Sequence, residues 1–378
     1  MTIDISNYEK TAKITDQFSE SEVQPILLGL YGEVGGAMSA VKKFKREQTA
    51  FLGYKQAVVD ELGDTFWYFN ALVRRAELSL TDLLNEAMSE LQQGATLSAT
   101  NDPKRPISVV RPIEVAECDF GAALLVLGKA TTDLFDLERD TLLPSKDKLL
   151  KFLRGYFDVL VSSDVSFEEV LQQNAKKIID RHVLPDVKEL PDFDAQFDED
   201  EQLPRRFEIE IKERENGKVY MRMNGVFIGA PLTDNIREPD GFRFHDVIHF
   251  AHAAILHWSP TIRGLLKHKR KSNAAFDEGE DGGRSIVVEE GLAAWVFSKA
   301  KELEYFDGHL KISIDMLKTI QDFVKGYEVS ACPTALWEKA ILEGYAVFRE
   351  VMKHNGGIIV GNRDLRTIEY RPLETKND

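Results

Sequence analysis

The sequence predicts an α+β protein: an N-terminal all-α helical bundle with a degenerate second repeat, then a mostly helical C-terminal domain with a small antiparallel sheet. Three observations predict this. Apolar residues recur at three-to-four spacing through most of the chain up to residue 182. Part of that stretch repeats the pattern of what precedes it. From Arg206 onward, alternating strand-like segments bracket a further set of helices.

Taken in order, the periodicity predicts helices over 5–17, 22–45, 55–76 and 79–92. Ser79 stands where an N-cap belongs, with Asp82 three positions later. GATLSATNDPKRP (94–106) is a break rich in turn formers. Helical spacing resumes over about 117–182. Ser79-Leu-Thr-Asp-Leu-Leu aligns with Ser166-Phe-Glu-Glu-Val-Leu at an offset of 87 residues, and the preceding helices align at an offset nearer 93. Each segment follows a long apolar helix and opens an amphipathic one, LNEAMSEL in the first copy and LQQNAKKI in the second. Residues 185–205 hold three prolines and a dense acidic run, which reads as a solvated linker or a strapped-down segment. RFEIEIKER, the turn ENGK and KVYMRMNGVFIGAP then read as a β-hairpin. Helices follow at about 243–258, 285–303, 312–327 and 334–353, and GGIIVGNRDLRTIEYRP reads as a closing hairpin. The expected division is 1–95, 115–184, the acidic stretch 185–205, and 206–378.

Composition bounds the function. The chain of 378 residues carries 63 acidic and 48 basic side chains, a net charge of −15. That balance argues against a duplex nucleic-acid binder, whose affinity comes from neutralising phosphates. No apolar run reaches the roughly 18 residues of a membrane span, so no membrane partner is expected. MTIDISNYEK lacks a basic stretch followed by an apolar one, and Cys118 and Cys332 form no pairing motif. A reduced, cytoplasmic protein is the expectation, with a homo-oligomer left open.

Acidic chemistry concentrates at two helices. Glu61 and Asp64, in VVDELGDTFWYF, are three residues apart and share a helix face. Glu33 lies on the preceding helix among Gly32, Gly35 and Gly36, glycines that each cost a helix about 1 kcal/mol relative to alanine. Two facing helices would bring the three carboxylates together as ligands for a hard divalent cation. The alternative is a solvated helix face.

GLYGEVGGAMSAVKK together with DELGDTFWYF resembles the MazG-like, all-α nucleoside triphosphate pyrophosphohydrolases, which carry E-x-x-E on one helix and E-x-x-D on the next. The resemblance covers about residues 5–95, with SNYEKTAKIT as the first helix. It implies Mg2+ (or Mn2+) at Glu33, Glu61 and Asp64, Lys42 or Lys43 near the phosphates, and a nucleoside triphosphate substrate. Water attack at the α-phosphorus would release a nucleoside monophosphate and pyrophosphate. The chain departs from the family pattern at Gly36, where the fourth carboxylate falls. Its place is left to water, to substrate phosphates or to another residue such as Glu47. A nucleotide-binding sensor that controls the C-terminal domain is the alternative reading. In the second copy Glu33, Gly36, Glu61 and Asp64 map near Val126, Lys129, Lys148 and Lys151, so every ligand is absent. The second copy therefore reads as a degenerate MazG-like repeat that completes the bundle within one chain. Its lysines are either surface charges or groups reaching phosphates or acids of the first copy.

Four of the eight histidines fall in GFRFHDVIHFAHAAILHW. On a helix, His245, His249 and His252 lie within about 60° of one another beside Asp246. Glu289 and Glu290 open the later apolar segment EEGLAAWVF. Such a set suits Zn2+ or another transition metal, with a buried hydrogen-bonded cluster as the alternative. The layout weakly resembles zinc proteases, which would make His245, His249 and Glu290 ligands, with Asp246 in place of the usual glutamate. It is also similar to the His-Asp pair of HD-type phosphohydrolases. A metallohydrolase centred here is the third functional reading. The half from 205 onward resembles the C-terminal extension carried by some MazG-like proteins.

Overall fold

The computed structural model describes residues 4–91, 119–135 and 142–373. The break expected at 94–106 lies outside them. The chain divides into two compact units, Met1–Val183 and Leu184–Asp378.

The first unit is built from α1 (Ile5–Thr15), α2 (Gln24–Glu47), α3 (Tyr54–Arg75), α4 (Leu80–Leu91), α5 (Phe120–Thr132), α6 (Lys146–Ser163) and α7 (Phe167–His182). Its starts are coded locally. Asp4 caps α1 by accepting from the Asn7 N–H at 2.7 Å, and Pro25 sits in the first turn of α2. Ser79 accepts from Asp82 N at 3.2 Å, and Ser166 accepts from Glu169 N at 3.0 Å, so the two aligned segments use the same cap. The copies interlock. α2 packs on α3 and α5 on α6, while α7 of the second copy packs on α3 and α4 of the first packs on α6. Each final helix thus covers the other copy's middle helix, and one apolar core runs through both copies. Phe69 of α3 stacks on Phe152 of α6 with ring centroids 5.1 Å apart.

The second unit holds β1 (Arg206–Glu213), β2 (Val219–Met223), β3 (Val226–Leu232), α8 (Asp246–Ala251), α9 (Pro260–Leu266), α10 (Ala274–Gly279), α11 (Gly283–Glu302), α12 (Ile314–Phe323), α13 (Thr334–His354), β4 (Gly356–Asn362) and β5 (Thr367–Arg371). The strands form one antiparallel sheet in the order β3-β2-β1-β4-β5. The first and last hairpins therefore join through β1 and β4, with Ile209 opposite Ile359. Phe207, Ile209 and Ile211 alternate inward toward α8 and α13. The segment read as a single hairpin arm over 218–231 is two strands. Asn224 and Gly225, with φ of 51° and 79°, form a tight two-residue turn that splits it. The expected helix at 243–258 is shorter: α8 ends at Ala251 and widens into a π-helical turn over His252–Leu256.

The acidic stretch 185–205 is strapped down at Asp192 and Asp194, while Asp186, Glu189, Asp198, Glu199 and Asp200 are exposed. Asp194 is fully buried, pairs with the buried Arg263 and with Arg363 at 3.1 Å, and accepts from Leu203 N at 2.8 Å. Asp192 takes the second arm of Arg363 at 3.0 Å. Removing one partner of such a buried pair leaves an uncompensated charge. Asp194→Ala is expected to destabilise the second unit by about 3–5 kcal/mol, read as an earlier midpoint in urea unfolding. An unchanged midpoint would show that the strap carries no stability.

Candidate functional site

Glu33 projects from α2, and Glu61 and Asp64 from α3, at the face where these helices pack. A Cβ built on Gly36 would lie 2.1 Å from Glu61 Oε2, so the Glu61 carboxylate occupies the space that a side chain at 36 would need. The absent fourth carboxylate is thus replaced in space by Glu61 itself. Glu47 is paired with Arg46 and, at 4.0 Å, with Lys43.

Two side chains of α7 hold Asp64. Its Oδ1 accepts from Asn174 Nδ2 at 2.9 Å, and its other oxygen pairs with Lys177. Tyr8 of α1 donates to Asn174 Oδ1 at 2.8 Å, which fixes the amide so that its NH2 faces Asp64. The glycine at 63 permits this approach: a Cβ there would lie 2.9 Å from Asn174 Cβ. Burial, the Asp64 charge, and a hydrogen bond and charge from Glu61 together push the Glu33 carboxyl up to about 8, and Lys177 only partly offsets them.

The lysines expected at phosphates stand elsewhere along α2. Lys42 is exposed, and Lys43 lies 4.3 Å from the Phe51 ring centroid. Lys151 pairs with Asp133 inside its own copy, and the charges of Lys129 and Lys148 also bear on Asp133. Lys177 of the second copy reaches Asp64, and Lys146 reaches Glu86 at 2.6 Å; the sequence reading missed Lys177, together with Asn174 and Tyr8. A signal existed. At the offset of 87, Asn174 stands where the first copy has the fully buried Ala87, a polar residue at an apolar position.

A second cluster lies in the second unit between α8 and α11. His249 is fully buried, its Nδ1 3.0 Å from Glu289 Oε1 and its Nε2 3.4 Å from Glu290 Oε2. His252 Nδ1 binds Glu289 Oε1 at 3.1 Å. Glu289 Oε2 accepts from Ser259 Oγ at 3.1 Å and from Thr261 N at 2.9 Å. His245 stacks on Phe242, and its Nδ1 lies 2.8 Å from the Phe242 carbonyl. Its Nε2 faces Asp246 Oδ1 at 3.4 Å and Glu290 Oε2 at 3.7 Å. Burial pushes Glu289 up, but His249 and His252 outweigh it and hold the carboxyl well below the usual range. His245 and His249 beside it bring the Glu290 carboxyl down to about 2. The basic run Lys267–Lys271 is not all surface, because Arg270 is buried and held by Asp281 and Glu328.

Among the described residues, ligand atoms from three side chains lie within 4.8 Å of one another at His245, Asp246 and His249, and at His249, His252 and Glu289. Glu33, Glu61 and Asp64 form no group that tight. No helix among the described residues is long and apolar enough to cross a membrane.

Residues 188–374 match the family model of the MazG C-terminal domain. The match supports a MazG-like family and falls within the second unit. The MazG-like reading of residues 5–95 rests on their own motifs. No curated protein and no solved structure matches the chain.

Because folding raises the proton affinity of Glu33, the native state keeps a proton that the unfolded chain loses between the ordinary carboxylate range and about pH 8. Metal-free stability must fall as pH rises through that window. Glu33→Gln mimics the protonated form. It is expected to match the parent in thermal unfolding near pH 4 and to exceed it at pH 9. Equal melting temperatures at both pH values would contradict the crowding.

Proposed function

We propose that the first unit is a nucleoside triphosphate pyrophosphohydrolase, converting a ribo- or deoxyribonucleoside triphosphate and water into the monophosphate and pyrophosphate. The observation that supports this reading is the crowding of Glu33, Glu61 and Asp64, which makes a proton stay on Glu33 near neutral pH. Carboxylates that repel one another and lie beside a single lysine are a donor set of the kind hard divalent cations neutralise.

Glu33, Glu61 and Asp64 would hold Mg2+ or Mn2+, which when bound supplies Lewis-acid polarisation of phosphoryl oxygens and acidifies a water. The chain's own residues do the rest. Tyr8 and Asn174 fix the Asp64 carboxylate in one orientation. Glu33 is either a ligand of that ion or the group that takes the proton of the attacking water. That water forms the bond to the α-phosphorus, and the bond to the pyrophosphate oxygen breaks. Lys177, a cation on the neighbouring helix, is free to exchange Asp64 for a phosphate oxygen.

A specific observation favours a second reading, a nucleotide sensor with weakened turnover. Gly36 supplies no carboxylate, and Lys177 already neutralises part of the acidic charge.

The full-length protein, supplied with Mg2+ or Mn2+ and a panel of ribo- and deoxyribonucleoside triphosphates, is expected to release pyrophosphate. Loss of an outer-shell group alone costs about 10–100-fold, so Glu61→Gln should lose at least about 100-fold. Release unaffected by Glu61→Gln would refute the assignment, and nucleotide binding without release would select the sensor reading.

A further inference from the structure

The second unit contains a cluster that nucleotide hydrolysis in the first unit does not use. We infer that His245, Asp246, His249 and Glu290 form a site for a four-coordinate first-row divalent metal of the zinc class, independent of the carboxylates in the first unit.

The argument rests on what each atom faces. The Phe242 carbonyl can only accept, so His245 Nδ1, 2.8 Å away, carries the proton. Nε2 then faces two carboxylate oxygens, Asp246 Oδ1 at 3.4 Å and Glu290 Oε2 at 3.7 Å. The two carboxylates repel each other unless a cation, a proton on Nε2 or a metal ion, stands among these atoms. A second proton, on Nε2, does not bridge these gaps well, because N–H···O bonds span about 2.7–3.2 Å. His249 Nε2 lies 3.4 Å from Glu290 Oε2. Its ring is fully buried, and neither nitrogen makes an aligned hydrogen bond.

These separations have a simple geometric meaning. Ligand atoms about 2.0–2.2 Å from a tetrahedral metal lie about 3.3–3.6 Å from one another. Three of the six separations among His245 Nε2, Asp246 Oδ1, His249 Nε2 and Glu290 Oε2, at 3.4, 3.4 and 3.7 Å, are close to the edges of such a tetrahedron, and His245, Asp246 and His249 bring ligand atoms within 4.8 Å of one another; the four together are not that tight, so closing the site requires Glu290 to move. Mixed imidazole and carboxylate donors suit zinc or a neighbouring metal rather than Mg2+.

The surroundings also match a metal centre. Metal-ligating histidines usually turn their other ring nitrogen to a carbonyl or a carboxylate. His245 turns Nδ1 to the Phe242 carbonyl, and His249 turns Nδ1 toward Glu289. Glu289 is itself fixed by Ser259 and Thr261. The Glu290 side chain is 42% exposed, which leaves the centre open to solvent on one side. Water or a substrate oxygen can therefore replace one protein ligand.

The test is Co2+ titration of the metal-stripped, full-length protein in excess Mg2+, which occupies the hard-oxygen site. Expected is the strong visible absorption of four-coordinate Co2+, saturating at one equivalent and displaced by Zn2+. His245→Gln and Glu290→Gln change the two least buried of the four ligands and should keep the parent circular dichroism while weakening Co2+ binding by about tenfold or more. Glu61→Gln should leave the signal intact. Absence of the absorption, equal affinity in His245→Gln and Glu290→Gln, or loss of the signal in Glu61→Gln would each overturn the proposal.

Discussion

Like charges do not share a buried face without compensation, and the first unit is arranged around that constraint. Glu33, Glu61 and Asp64 occupy facing sides of α2 and α3, and Glu33 keeps a proton as a result. The second copy carries none of these acids at the aligned positions, yet it supplies the compensation. Its last helix brings Asn174 and Lys177 to Asp64, and Gly63 lets that helix come close. The interlocked packing of α7 on α3 therefore does more than complete a core. It sets the electrostatic state of the acidic face.

The second unit meets the same constraint with other side chains. Glu289 is fully buried and held below the usual carboxylate range by two histidines, a hydroxyl and a backbone N–H. Glu290, one residue on, points to the opposite edge of His249. One carboxylate orients the ring, and the other stands where a ligand of that ring would stand. The widened helical turn at His252–Leu256 follows directly and contains His252, the second ring on Glu289. π-helical turns occur often at functional sites.

Much of this fold was legible because its signals are local. The capping serines Ser79 and Ser166 exposed the repeat, and apolar spacing located the long helices. The joining of the two hairpins followed from strand-like texture at both ends of the second unit. The split at Asn224-Gly225 was also local and was overlooked within a longer apolar run. What stayed hidden depends on contacts distant in sequence. Lys177 lies 113 residues from Asp64, and Asp194 lies 69 from Arg263. An acidic run looks the same in sequence whether it is solvated or pinned by buried arginines. The site residues were legible as types and spacings, whereas their states were not. The proton on Glu33 and the facing of His245 Nε2 onto carboxylates come only from three-dimensional placement.

The central claim is that the three carboxylates of the first unit form a metal-dependent nucleotide site. Crystals grown with Mn2+ and a triphosphate analogue that cannot be cleaved between the α- and β-phosphorus address it most directly. The account predicts anomalous manganese density bonded to Glu33, Glu61 and Asp64 and to the phosphates, with Lys177 moved from Asp64 toward the nucleotide. Nucleotide and manganese absent from that face, with the Lys177–Asp64 pair intact, would contradict it.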